Sequence, residues 1–499
     1  MAPNDKELIP GTEVIFRDGN LSTDSRIGDL VLIPQPSENL NDPLNWSPTW
    51  KIIVIVNQFV FVFVSIMTPL CIAPMTLILE AEFHKTLPEV NMLFGAAAIT
   101  LGYANFIIVP CANVVGRRPV IAICGLICVL ANVWQACATS YPSLIGARVI
   151  SGVGAAANES IMPMVVADML FVHQRGRSTA LYFWAYFMGL FIGPIISGAV
   201  ASQISWRWFF WICTILQAVS LIFIVVAHPE TKYQRYTHSA TATAGATLPG
   251  SISAKAHESG ERVPSSLIWR DILSPLRILF LYPIVTWASL AMGFAANSLL
   301  ALNLTQAQVF GAPHPYGFTP DQIGFVNFSF VVGAAIALVT AGPLSDYIAL
   351  RSARSNGGVL EAEMRLPALI PYVVVNLVGM VITAVGYQRS WPWPAIVVVG
   401  YGLVGVQVVG IPTIAIAYAV DCYKALPGEV MIAATVVKNT FGFGMIFFYN
   451  DWAARSGYIA PVLLLMALTV GFSVLGLAVF IPFGKQFRRW TKDSKLHAL

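Results

Sequence analysis

The sequence predicts an all-α membrane protein with twelve transmembrane helices arranged in two six-helix bundles. Of its 499 residues, 57% are hydrophobic and only 11% are charged, whereas ordinary soluble domains carry about 25% charge. Twelve apolar stretches are each long enough to cross a bilayer, which takes about 20 residues. A polar stretch separates the first six from the last six. This composition excludes a water-soluble fold.

The first bundle is predicted over residues 51–227 and the second over residues 279–482. In the first, the apolar stretches lie near 51–73, 90–110, 119–140, 143–168, 179–201 and 206–227. In the second, they lie near 279–301, 320–341, 367–387, 394–420, 429–449 and 458–482. Each is long enough to span a membrane with some tilt.

Three polar segments flank and divide the bundles. Residues 1–50 contain Asp and Glu but no apolar signal core with a cleavage site, so we expect the first helix to be an uncleaved anchor. Residues 228–278 are rich in Ser, Thr, Ala and Gly, which is typical of a flexible linker. We place the boundary between the bundles there, and we expect residues 483–499 to form a short tail.

The distribution of Lys and Arg predicts the orientation. With twelve crossings and a cytoplasmic N-terminus, 23 of the 29 basic residues fall on the inner side and four on the outer side, while Arg148 and Lys438 lie within spans. Basic residues favour the cytoplasmic side of a membrane. We therefore expect both termini and the 228–278 linker to be cytoplasmic. The expected location is the plasma membrane, with the vacuolar membrane as the alternative.

Several function classes are disfavoured. The net charge of +4 is too small to indicate nucleic-acid binding. The seven cysteines lie mostly in apolar runs and show no metal-ligand spacing, so we expect neither a disulfide framework nor a metal site. The sequence also lacks a phosphate-binding Gly-rich loop that ends in Lys-Ser/Thr. We expect no enzyme activity, no cofactor and no ATP-driven transport.

The two halves contain a short repeat, which is typical of secondary transporters. The sequence VPCAN ends at Asn113 after the second span, and GPLSD ends at Asp346 after the eighth. Gly116, Arg117 and Arg118 follow the first of these segments. The two arginines could simply obey the positive-inside rule. Alternatively, they bind helix ends or a carboxylate across an inner gate and latch it closed.

Intramembrane charges are costly and are functional candidates by default. Arg148 and Glu159 lie in the fourth span, 11 residues apart, which at 100° per residue places them about 20° from eclipsed. Glu159 is the candidate site for a proton or cation, and Arg148 is its candidate modulator. A purely structural pairing with another helix is the alternative. Lys438 in the eleventh span either neutralises Glu159 across a cavity or attracts an anionic substrate, and the sequence leaves both possibilities open.

The fifth span contains small residues at four-residue spacing, which lets another helix approach closely. These are Gly189, Gly193 and Ser197, with Pro194 and Gly198 beside them. Further polar or aromatic residues within spans could line a central cavity, although each could equally serve helix packing. They are Asn57, Gln58, Tyr182, Tyr186, Trp287, Asn297, Gln407 and Asn439.

These motifs resemble the major facilitator superfamily. Its loop between helices 2 and 3 follows the pattern Gly-x-x-x-Asp-x-x-Gly-Arg-Arg/Lys, which Gly116, Arg117 and Arg118 match, whereas Val109 and Asn113 depart from it. Arg148 and the following Gly-x-Gly match the pattern in helix 4. The segment from Gly189 to Gly198 is similar to the helix 5 pattern of proton-coupled antiporters, with Ser197 in place of one Gly.

Further segments resemble fungal twelve-helix members of the drug:proton antiporter type. They are NDPLNWS at 41–47, WRWFFW at 206–211 and PET at 229–231. Residues 356–366 and 421–440 look like the subgroup of organic-cation and polyamine transporters. The resemblance implies a monomeric, proton-coupled carrier that moves a small organic solute across the bilayer by alternating access, with efflux preferred. Uptake of polyamines is one alternative, and a non-transporting membrane sensor, favoured by the missing acid at Asn113, is another.

Overall fold

The computed structural model describes residues 11–14, 26–27, 30–31, 37, 39, 42–68, 71–233, 269–311, 315–423 and 426–491. The predicted all-α membrane fold is confirmed over these residues. The described strands are short: β1 (Thr12–Val14), β2 (Arg26–Ile27), β3 (Leu30–Val31) and β4 (Val359–Glu361). β1 pairs antiparallel with β4, and β2 pairs with β3.

The N-terminal bundle follows a 3-10 turn at Pro43–Asn45. Its helices are α1 (Pro48–Ile66), α2 (Ile72–Phe83), α3 (Leu87–Tyr103), α4 (Asn105–Val115), α5 (Arg117–Cys137), α6 (Tyr141–Ala155), α7 (Ala157–Met169), α8 (Val172–Gln203) and α9 (Trp206–Ala227). α3 and α4 form one span, and so do α6 and most of α7.

The C-terminal bundle begins after the linker. Its helices are α10 (Trp269–Leu281), α11 (Pro283–Phe310), α12 (Pro320–Phe325), α13 (Phe328–Ser355), α14 (Leu369–Arg389), α15 (Gly402–Cys422), α16 (Pro427–Ile446), α17 (Tyr449–Ser456) and α18 (Ile459–Thr491). A 3-10 segment, Ala362–Ala368, leads into α14, and a π-helical segment, Ala395–Tyr401, leads into α15.

The number of spans agrees with the prediction. Among the described residues, 11 helical segments are long and apolar enough to cross a membrane. The count reaches 12 when α16 and α17, which meet at a 49° bend, are taken as one span.

Two segments differ from the predicted layout. The stretch 228–278 was expected to be a polar linker, but α10 occupies its C-terminal part, while residues 234–268 lie outside the described residues. α10 is amphipathic, with Arg270, Asp271 and Arg277 among its apolar residues, so the apolar run at 278–281 is too short to indicate a span by itself. α18 continues to Thr491, well past the predicted end of the last span at 482, because a helix can continue beyond the apolar core on residues that tolerate water.

The small residues of α8 allow close packing on two sides. A Cβ atom at Gly189 would lie 2.5 Å from the carbonyl oxygen of Phe63, and one at Gly193 would lie 2.1 Å from that of Met67. Nearer the end of the helix, a Cβ at Gly198 would lie 2.6 Å from the carbonyl oxygen of Pro320 in the other bundle. The stripe therefore packs α8 against α1 and against α12.

Substituting Gly193 should disturb this packing. We expect Gly193→Ala to lower the free energy of unfolding by about 1–3 kcal/mol, because the added methyl group meets backbone rather than a movable side chain. Gly444→Ala is the matched control, since a Cβ there meets nothing within 4 Å. Thermal unfolding of the detergent-purified proteins measures the difference, and equal stability of the two variants would contradict the assigned packing.

Candidate functional site

The fourth span is broken between Arg148 and Glu159. α6 ends at Ala155 and α7 begins at Ala157, so Glu159 lies in the first turn of a new helix. Both side chains are fully buried. The guanidinium of Arg148 donates to the carbonyl oxygen of Thr68 at 2.7 Å and to Cys71 Sγ at 3.3 Å, and it lies over the Phe210 ring. Arg148 is thus held by α9 and the end of α1, away from Glu159, and its role as a modulator stays a prediction.

Glu159 forms an ion pair with Lys438 of the other bundle. Tyr186 donates its hydroxyl to Glu159 Oε1 at 2.5 Å, and Asn439 donates its amide to Oε2 at 3.1 Å. The ammonium of Lys438 also donates to the Tyr186 hydroxyl at 2.7 Å and lies 4.5 Å from the centre of that ring. α7 and α8 of one bundle are therefore joined to α16 of the other by a buried polar cluster, which we call the central cluster: Glu159, Tyr186, Lys438 and Asn439.

The central cluster borders a cavity between the bundles. Tyr186 and Phe187 line it from the N-terminal bundle, and Asn297, Lys438 and Asn439 line it from the C-terminal bundle. Asn297 donates to the carbonyl oxygen of Lys438 at 3.0 Å, which fixes the backbone that carries the ammonium. The structure thus brings three predicted cavity residues together with the predicted charges Glu159 and Lys438. The three are Tyr186, Asn297 and Asn439. Tyr182 lies behind them, with its hydroxyl 3.4 Å from the backbone oxygen of Glu159.

The other predicted lining residues bind neighbouring helices within their own bundles. Asn57 donates to the carbonyl oxygen of Phe223 at 2.9 Å, and Trp287 donates to that of Phe472 at 2.7 Å. Gln407 donates to Ser298 Oγ at 3.1 Å. We assign these three side chains to helix packing rather than to the cavity.

Gln58 binds a histidine at the end of α9. His228 Nδ1 lies 2.8 Å from the carbonyl oxygen of Pro229, which can only accept, so this nitrogen carries the proton. His228 Nε2 therefore accepts from the Gln58 amide at 2.6 Å. Burial lowers the pKa of His228, which favours this neutral ring. Gln58 thus anchors the start of the linker to α1.

Arg117 holds three helix ends together within the N-terminal bundle. Its guanidinium donates to Asn113 Oδ1 at 2.9 Å and to the carbonyl oxygen of Ala112 at 3.0 Å. Its Nε lies 3.4 Å from the carboxylate of Asp168 at the end of α7. The neutral Asn113 accepts this hydrogen bond in place of the acid expected from the motif. We call the end of the molecule that contains these residues the basic end.

A carboxylate beyond α9 caps the start of α5. Glu230 accepts hydrogen bonds from the backbone N–H groups of Arg117 at 2.8 Å and Arg118 at 3.1 Å. Gly116 has a φ of 118°, and a Cβ there would lie 2.5 Å from Glu230 Oε2. The Arg118 side chain donates to the carbonyl oxygen of Val225 at 2.5 Å. Both arginines therefore bind helix ends, as one hypothesis proposed, but those ends belong to their own bundle.

The corresponding charges of the C-terminal bundle are also paired. Asp346 binds the buried guanidinium of Arg365, whose Nε donates to Asp421 at 2.6 Å. Next to them, Arg488 forms a bidentate pair with Glu363 at 2.6 and 2.7 Å. Among these five residues, only Asp346 was a predicted gate residue.

Sequence reasoning missed three of the other four because of where they lie in the chain. Arg365 and Glu363 precede α14, where the sequence indicates a loop, yet both are buried. Arg488 lies in the part of α18 that was assigned to a polar tail. For Asp421, the available signal was an acid near the end of a span, because Asp421 lies near the end of α15 as Asp168 lies near the end of α7.

Apolar side chains close the basic end between the bundles. Val109 and Met164 of the N-terminal bundle form a buried cluster with Ile432 and Val436 of α16. This cluster is an apolar contact between the bundles at the basic end, whereas Arg117 and Arg365 bind within their own bundles.

Residues 58–449 match the sequence pattern of the Major Facilitator Superfamily. The chain belongs to this superfamily. It is a multi-pass secondary transporter of small solutes and not an enzyme.

Several of the proteins that this chain resembles are fungal. It is 26% identical to Protein HOL1 of Saccharomyces cerevisiae, over 99% of this chain and 97% of that protein. It is also 26% identical to the probable efflux pump mfs2 of Aspergillus flavus, over 85% of this chain and 99% of that protein. Among solved structures, the proton:xylose symporter XylE has a TM-score of 0.59 at 14% identity, covering 88% of this chain and 96% of that one. That structure supports the fold.

Removing the Arg365 guanidinium should destabilise this transporter. We expect Arg365→Gln to lower the free energy of unfolding by about 3–5 kcal/mol, because the buried carboxylate of Asp421 and the partly buried carboxylate of Asp346 lose their shared counterion. Arg351→Gln is the control, since Arg351 is exposed and donates to the Tyr347 hydroxyl at 3.2 Å. Denaturant unfolding in detergent compares the variants. An Arg365→Gln protein as stable as the control would exclude the assigned network.

Proposed function

We propose that this transporter couples the movement of a small organic solute to protons, and that Glu159 is the proton site. The observation that carries the proposal is the ion pair between Glu159 and Lys438. One partner belongs to each bundle, so the pair must break when the bundles move apart in alternating access. A coupling ion acts best at such a contact, because its binding changes the energy of opening.

The burial of the pair supports this role. Glu159 is 0% and Lys438 is 5% exposed. Removing one partner of a buried pair costs about 3–5 kcal/mol, because the other charge is left without compensation. Protonation of Glu159 has the same effect without any mutation, since Lys438 then remains as an unpaired ammonium. Opening the cavity to water relieves that cost, so protonation favours the open carrier.

We further propose that the transporter exports its solute from the cytoplasm. The solute would be a drug, a secondary metabolite or an organic cation. The close packing of α8 through Gly189, Gly193 and Gly198 fits the antiporter-like motif in which they lie. The similarity to a protein named as a probable efflux pump supports the same direction. Both termini would face the cytoplasm at the plasma membrane, so a C-terminal epitope should be unreachable by antibody in intact cells.

The decisive variant for proton coupling is Glu159→Gln. We expect its flux in reconstituted vesicles to be the same with and without a pH gradient, whereas the wild-type flux rises with the gradient. The amide keeps the shape of Glu159 and one acceptor oxygen, but its NH2 group can only donate, and the side chain cannot take up a proton. A screen of solutes against a deletion strain supplies the transported probe.

Glu82→Gln is the matched control. Glu82 belongs to the same bundle but binds Arg207 at 2.8 Å, far from the central cluster along the chain, and it should keep the wild-type response. A full response to the gradient in Glu159→Gln would refute the assignment of the proton site. Absence of net flux in the wild type would instead support a non-transporting sensor.

A second candidate function is the uptake of polyamines or related cations. The geometry of the central cluster favours it, because a carboxylate, a phenol hydroxyl and the face of an aromatic ring together hold an ammonium group. Assays in both directions in the same vesicles distinguish the candidates. Competition by polyamines for inward flux would establish uptake, and drug sensitivity on deletion would establish efflux.

A further inference from the structure

The carboxylate of Glu159 is satisfied by groups of the chain itself. Oε1 accepts from Tyr186 and Lys438, and Oε2 accepts from Asn439. The titratable groups that face it are Tyr182 and Tyr186 from α8 and Lys438 from α16. Lys438 is therefore the group in this set that supplies a positive charge.

The pair lies between two regions where the bundles are in contact. At the basic end, Met164 packs with Ile432 and Val436. Toward the opposite end, Gly198 lies against Pro320, and Gly95 lies against Ile446. The carrier is thus closed on both sides of the cluster in the conformation that contains the ion pair. A closed state of this kind lies on the path between the two open states of an alternating-access carrier.

We infer that Lys438 is a built-in counterion that allows the carrier to close, and so to change orientation, while Glu159 is deprotonated. The inference rests on the proposed role of Glu159 in coupling. Without Lys438, closing would seal an unpaired carboxylate away from water, which is strongly unfavourable. The Lys438 ammonium occupies the place that a coupling cation would otherwise have to fill. Lys438 is in this sense a positioning residue for the conformational step.

Charge balance gives the inference a signature in pH. In the wild type, the closed state is neutral at the cluster when Glu159 is deprotonated, so closing is favoured at high pH. In Lys438→Met, the closed state is neutral only when Glu159 is protonated, so closing is favoured at low pH. A variant with a merely weakened structure would close less at every pH. The direction of the pH dependence therefore separates a counterion from a packing residue.

The test uses single-molecule energy transfer between dyes on the full-length protein in nanodiscs, without solute. The dyes are placed by non-canonical amino acids at Val115 and Ser355, which are exposed at the basic ends of α4 and α13. From pH 5 to pH 9, the closed fraction should rise in the wild type and fall in Lys438→Met. At the high-pH end, the closed fraction of Lys438→Met should be lower than that of the wild type by about tenfold or more. Lys438→Arg, which keeps the charge, should retain the wild-type direction.

The double variant Glu159→Gln with Lys438→Met guards against a folding defect. It contains no charge at the pair and should close equally at all pH values, because a neutral replacement of a buried ion pair is generally tolerated. A closed fraction of Lys438→Met that rises with pH as in the wild type, or stays level, would overturn the inference. The energy-transfer measurement needs no solute. It therefore tests the role of Lys438 separately from the flux assay on Glu159→Gln, which tests the proposed proton site.

Discussion

The buried ion pair between Glu159 and Lys438 is the constraint on which the rest of the structure depends. It joins the bundles at their centre, where water cannot compensate either charge. Every other feature of the central cluster adjusts to it. Tyr186 contacts both partners, Asn439 binds the second carboxylate oxygen, and Asn297 supports the backbone that carries the ammonium. A carrier that alternates between two open states must break this pair in each cycle, which makes it a natural point for coupling.

The charges at the basic end serve a different purpose. Asn113, Arg117 and Asp168 in one half correspond to Asp346, Arg365 and Asp421 in the other, and each arginine binds within its own bundle. Such networks stabilise each bundle from within. At the basic end, the contact between the bundles includes the apolar cluster of Val109, Met164, Ile432 and Val436, and an apolar cluster separates without leaving a buried charge uncompensated. The replacement of the expected acid by Asn113 is accommodated because an amide oxygen can accept the same hydrogen bond.

Much of the fold follows from the sequence, because a bilayer demands long apolar helices. The span predicted at 206–227 is α9. Glu159 and Lys438 were recognised as candidates because a charge is costly within such an apolar span. Prediction failed where polar residues continue a helix or become buried outside the apolar windows, as with Arg488 and Arg365. It was also limited by the break at Ala156, since a regular helical spacing cannot locate Arg148 relative to Glu159 across it. The partners of each charge depend on tertiary packing, which local pattern does not encode.

Exchange of the two charges tests the central claim most directly. Glu159→Lys and Lys438→Glu each place two like charges at the contact between the bundles, whereas the double variant restores an ion pair of reversed polarity. The account predicts that each single variant unfolds at a lower temperature than the wild type and that the double variant recovers most of the loss. If the loss of stability in the double variant equals the sum of the losses in the single variants, the two residues act independently. The ion pair then cannot be the interaction that joins the bundles.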